Sequence, residues 1–122
     1  MPSGIDRIYP SENKKLSENI IETGGALVSE YPIGTSPRKN HFIDRDRLQS
    51  GSSQVVVVIE TEIDGGTMHT VNFAIKQNRI LRCLEFPNEI DIPQNRGNME
   101  LILSGKSLGL RTDKVDELFQ LL

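Results

Sequence analysis

The clearest apolar pattern in the chain is QVVVVIE over residues 54–60, with five consecutive apolar residues from Val55 to Ile59. β-Branched residues favour strands. A strand without polar positions on either side is one covered on both faces, as in a parallel sheet flanked by helices. Two further segments, ALVSEY (26–31) and ILRCLEF (80–86), also read as strands. Elsewhere the spacing is helical. Leu16, Ile20 and Ile21 give an apolar stripe to a helix that Ser11 can cap. Gly24-Gly25 can end that helix, because glycine takes the left-handed conformation at a helix C-terminus without strain. Residues 42–50 suit a short helix ending near Gly51. Asp64-Gly65-Gly66 makes a turn, and Met68, Val71, Phe73, Ala74 and Ile75 belong to a helix that runs to Asn78. Residues 87–97 read as loop. Helices over 98–104 and 112–121 follow, the second with Val115, Leu118, Phe119 and Leu122 as its stripe.

Alternating helices and strands define an α/β domain of three layers, a mainly parallel sheet with helices on either side. Three strands are few for an open α/β sheet, so residues 1–122 are expected to form one partial domain, lacking strands that would precede Gly4.

Composition narrows the function. A chain of 122 residues suits one domain, and 36% apolar with 25% charged residues excludes the composition of a disordered chain. Fourteen Lys and Arg against 17 Asp and Glu leave a net charge of −3, which argues against a wholly electrostatic nucleic-acid binder. The five-residue apolar run is far short of the roughly 20 residues of a membrane span. The opening MPSGIDRIYP lacks the basic and apolar regions of a signal peptide, and a single cysteine, Cys83, makes no internal disulfide. Both point to a reducing, cytoplasmic setting. The one candidate basic patch is Arg38, Lys39, Arg45 and Arg47, diluted by Asp44 and Asp46, and charge alone favours a solvated loop and helix face.

Ligands of open α/β sheets bind beyond the carboxyl ends of the strands. Three segments are expected there: GIDRIYP, EYPIGTSPRKNHF and TEIDGGTMHT. In the last, Gly65 and Gly66 let the backbone approach a ligand, and Thr67 and Thr70 open a helix whose free amides favour phosphate. A plain tight turn with a threonine cap has the same sequence. Tyr9 and Tyr31 could each stack on a base, or equally serve as packing residues with the hydroxyl in water. His41 could reach phosphate, whereas His69 reads as a surface or packing residue. Cys83 reads as a buried thiol, no nucleophile is marked by a partnered base, and two distant histidines with one cysteine make no zinc site.

Taken together, these segments resemble the DprA (Smf) family of bacterial DNA-processing proteins. The resemblance runs in order through PSGIDRIYPSENKKL (2–16), GGALVSEYPIGTSPRKNHF (24–42), FIDRDRLQSGSSQVVVVIE (42–60), DGGTMHTVNFAIKQNR (64–79) and GNMELILSGKSLGLRTDKVDELF (97–119). It implies a Rossmann-like domain that binds single-stranded DNA, helps load a RecA-type recombinase during DNA uptake, works as a homodimer, and uses neither catalytic residues, metal nor cofactor. The residues expected at the DNA are Gly4, Arg7, Tyr9, Arg38, Lys39, Arg45, Arg47, Gly65, Gly66, Thr67 and Thr70. The chain departs from the family pattern at Ile43, Asp44, Asp46 and Gly65, and two carboxylates beside Arg45 and Arg47 weaken the attraction for phosphate. Two other readings are a sensor domain for a nucleotide or small phospho-ligand, and a truncated remnant without DNA binding. Against nucleotide hydrolysis, DGGTMHT keeps Gly-Gly and a threonine of the related phosphoribohydrolase fingerprint but lacks its proline, second glycine and glutamates.

Overall fold

The computed structural model describes residues 1–87, 90 and 92–121. Two compact units make up the chain, Met1–Arg45 and Asp46–Leu122.

The first unit is mostly loop around one helix, α1 (Lys14–Glu22), which a single 3-10 turn, Ser11–Asn13, leads into. Ser11 does not cap it. Its hydroxyl turns to the Glu12 carboxylate at 3.2 Å, and Asn13 occupies the cap position of α1 with no side-chain bond. The expected stripe is not a core face either: Leu16 and Ile21 are more than half exposed, and Ser17 is the only buried residue of α1. The helix ends as expected, at Gly24 with φ of +85°. Residues 26–31 form no strand. Their polar groups bond locally and to the chain's first residues instead: the Met1 ammonium donates to the Val28 carbonyl at 2.6 Å, and Ser29 Oγ donates to the Ser3 carbonyl at 2.6 Å. With Val28 largely exposed, the segment has neither a ladder partner nor a buried face, and its local β-propensity is overridden.

The second unit carries the sheet. Helix α2 (Lys39–Gly51) begins three residues before the expected start and runs into it. Then come β1 (Val55–Val58), α3 (Thr67–Lys76), β2 (Ile80–Leu84), α4 (Arg96–Leu103) and β3 (Leu108–Leu110). The strands are parallel in the order β1-β2-β3, with Val56 opposite Leu81, Val58 opposite Cys83, and Cys83 opposite Gly109. The third strand is therefore Leu108–Leu110, not residues 26–31. Parallel neighbours need long crossovers, and α3 and α4 supply them. Register puts Val56, Val58, Leu81 and Cys83 on one face, where Val71 and Ala74 of α3 and Leu101 of α4 complete the core. The opposite positions, Val55, Val57, Ile80 and Arg82, are only partly buried. The expected helix over 112–121 is a 3-10 helix, Thr112–Leu121, broken at Lys114. Leu122 of its expected stripe lies outside the described residues.

Candidate nucleic-acid interface

In the first unit the loops that carry the early motifs are tied together by their own polar groups. Gly4 N donates to the Thr35 carbonyl at 3.0 Å, and the Asp6 carboxylate accepts from Gly34 N at 2.8 Å. A β-carbon at Gly4 would stand 2.5 Å from the Pro32 carbonyl oxygen, so glycine is required there by loop packing. His41 is buried, with Nδ1 donating to the Pro2 carbonyl at 2.9 Å and its ring stacked on Tyr31 at 4.0 Å between centroids. It fixes the loops, and Tyr31 in turn donates its hydroxyl to Asp44 at 3.2 Å.

That scaffold presents an aromatic and cationic group. Tyr9, half exposed, meets Phe42 edge to face at 5.5 Å, and the Arg45 guanidinium lies 5.7 Å from the Phe42 ring centroid. The edge-to-face pair is a geometry the ring quadrupoles prefer, and it offers one exposed ring. Arg7 is exposed, 3.8 Å from Asp6 across a surface pair that contributes little. Arg38 and Lys39 are exposed at the start of α2 and make no ion pair among the described residues.

The second unit holds Arg47, exposed on α2, and the turn before α3. In that turn Gly65 N donates to the Glu62 carbonyl at 3.2 Å, while Met68 and His69 donate back to Gly65 and Gly66. The amides of Gly66 and Thr67 donate to no acceptor among the described residues. Gly66 and Thr67 are exposed, and a β-carbon at Gly66 would meet nothing within 4 Å. Two free amides at the positive end of a ten-residue helix are suited to an anion. Thr70 sits one turn on, half-buried.

Sequence reasoning missed what holds this turn. The Gly97 amide donates to the Thr61 carbonyl at 2.8 Å. Asn98, buried, donates its side-chain amide to the carbonyls of Ile59 at 2.9 Å and Leu84 at 3.1 Å, closing the carboxyl ends of β1 and β2 together. Beside it an apolar cavity of about 250 Å³ is lined by Leu84, Phe86, Asn95, Met99 and Ile102. Phe42 was missed too, although its place four residues before Asp46 in a basic, aromatic segment was visible.

Among the described residues no three His, Cys, Asp or Glu side chains are grouped to hold a metal, and no helix is long and apolar enough to cross a membrane. Cys83 is fully buried, and burial pushes its thiol above the ordinary range, with Ser107 opposing in part.

A parallel sheet with crossover helices on it defines the Rossmann-like class. Residues 1–120 match the model of the DNA recombination-mediator protein A family, and the chain belongs to that family. It is 34% identical over 113 residues to Protein Smf of Synechocystis and 33% identical over 116 residues to DNA processing protein DprA of Bacillus subtilis. Those matches cover 93% and 94% of this chain but 28% and 38% of the relatives, so the chain spans about a third of their length. Among solved structures, it superposes on DNA processing protein A of Helicobacter pylori with a TM-score of 0.77 at 30% identity, over 88% of this chain and 48% of that one. The DprA of Streptococcus pneumoniae gives 0.77 at 30%, over 89% and 37%. The Helicobacter pylori structure was described for its single-stranded DNA binding mode.

Proposed function

We propose that this chain binds single-stranded DNA without reading its sequence, as a non-catalytic recombination mediator. The observation that carries the reading is the likeness, over most of the chain, to the Helicobacter pylori protein whose single-stranded DNA binding was described. The chain's own geometry supports it. A strand needs donors for its phosphates and rings for its bases. The amides of Gly66 and Thr67, with Thr70 and Arg47, offer the first in the second unit. Arg7, Arg38, Lys39 and Arg45 offer cations in the first, Gly4 sets their loops, and Tyr9 offers a ring.

The same reading extends to the working protein: residues 1–122 as part of one Rossmann-like domain, acting in the cytoplasm as a homodimer and delivering the strand to a RecA-type recombinase. Met99 and Leu103, one turn apart on α4 and both exposed, support self-association.

Calorimetric titration distinguishes strand binding from nucleotide sensing. An oligo-dT strand is expected to bind, and a mononucleotide at least tenfold more weakly, because a strand spreads its contacts over several phosphates. A mononucleotide that binds as tightly as the strand would favour the sensor reading.

A further inference from the structure

The amino-terminal ends of β2 and β3 lie at the opposite end of the sheet from Gly66, and they too form a cleft. Its volume is about 390 Å³, and Asn78, Arg79, Arg82, Lys106 and Ser107 line it. Its charge is one-sided. Its lining includes Arg79, Arg82 and Lys106 and no aspartate or glutamate. In a chain of net charge −3 this is a marked segregation. Arg79, Arg82 and Lys106 make no ion pair among the described residues.

The cations are held in place without being neutralised. Asn78, with φ of +55°, turns the chain out of α3, and Arg79 N donates back to the Ala74 carbonyl at 2.8 Å. Arg79 Nη2 then donates to the Gly51 carbonyl at 2.6 Å, and its Nε is buried with no partner. Arg82 donates through Nη1 to the neighbouring Leu81 carbonyl at 3.0 Å, which leaves most of its fork unused. Lys106 is exposed in the turn before β3. Carbonyl bonds orient a guanidinium but do not cancel its charge.

We propose that this cleft is a second phosphate-backbone site, which holds a further stretch of nucleic-acid strand at the end of the sheet opposite Gly66. The choice of ligand rests on the single-strand reading above; the anionic chemistry rests on the cleft alone. Two guanidinium forks and an ammonium, with Asn78 and Ser107 between them, suit a flexible polyanion that needs charge and donors.

The test is binding of labelled dT6 and dT30 to the wild-type chain, to Arg82→Glu/Lys106→Glu and to Arg45→Ala/Arg47→Ala, at several salt concentrations. Arg79 is left intact because it braces Gly51. The cleft predicts that Arg82→Glu/Lys106→Glu binds dT6 as the wild type does but loses about tenfold for dT30, with the salt slope reduced by about 1.4, at about 0.7 per lost phosphate contact. Unchanged dT30 affinity and slope, or no dT30 binding by the wild type, overturns it. So does wild-type binding of poly-glutamate that the double variant loses while dT30 binding persists, which would make the surface one for an acidic peptide. If dT6 fails to bind while dT30 binds and depends on Arg82 and Lys106, the cleft stands and the reading of Arg45 and Arg47 as strand contacts falls. If dT6 binds through Arg45 and Arg47 and dT30 ignores the cleft variant, the reverse holds. Matching circular-dichroism spectra exclude misfolding of either double variant.

Discussion

Gly97 donates its amide to the carbonyl of Thr61 at 2.8 Å, and a β-carbon on Gly97 would stand 2.6 Å from that same oxygen. The first turn of α4 is thus pressed against the loop that carries Gly65 and Gly66. Backbone, not a flexible side chain, occupies the space, so nothing can move aside cheaply. Gly97→Ala is expected to cost about 1–3 kcal/mol, the range for overpacking, read as a lower urea midpoint with an unchanged slope. A midpoint equal to the wild type would show that the contact has slack.

Asn98 contributes differently. Its side-chain amide serves the part-buried carbonyls of Ile59 and Leu84 at once. Asn98→Ala leaves both without that donor and is expected to cost about 1–3 kcal/mol, the range for stranded buried groups. Asn98→Asp replaces the donor with a carboxylate facing carbonyl oxygens, so it is expected to unfold at a lower urea concentration than Asn98→Ala at neutral pH. The opposite order would reject the donor role.

Gly66 separates folding from binding. A methyl group there meets nothing in the protein, and its φ is −57°. Gly66→Ala is therefore expected to keep stability within about 0.5 kcal/mol while weakening strand binding, because the methyl fills the space in front of the free amides. Wild-type affinity in this variant would remove these amides from the interface.

Cys83 gives a pH dependence. Burial raises its thiol, so the folded chain holds that proton more tightly than the unfolded chain. The resulting stabilisation is fully present below the ordinary thiol value near 9 and is lost as pH rises through the folded value. The urea midpoint of the wild type should fall more between pH 8 and pH 10 than that of Cys83→Ala. Equal falls would show that the thiol titrates normally.

Much of the sheet was legible because its signals are local. Val55–Val58 is a continuous β-branched run, and α3 has both a glycine turn before it and helical spacing within it. β3 was not legible: Leu108–Leu110 is three residues around a glycine, and only its pairing with Arg82–Leu84 makes it a strand. Residues 26–31 failed for the converse reason, having strand-like residues and no strand to pair with. The candidate site divides in the same way. Gly65, Gly66 and Thr67 announce a turn in adjacent letters. The clamp from Gly97 and Asn98 reaches back more than 30 residues, and nothing in the local sequence of α4 marks it.

The central claim, a phosphate-binding surface for single strands, is tested most directly by fluorescence anisotropy of labelled oligo-dT in low and moderate salt, with the wild type and with Arg45→Ala and Arg47→Ala. The account predicts wild-type binding at micromolar concentration or tighter, falling steeply with salt, and weaker binding by each variant whatever the strand's sequence. A folded wild-type chain that binds no strand in low salt, or affinity unchanged in both variants, would contradict it.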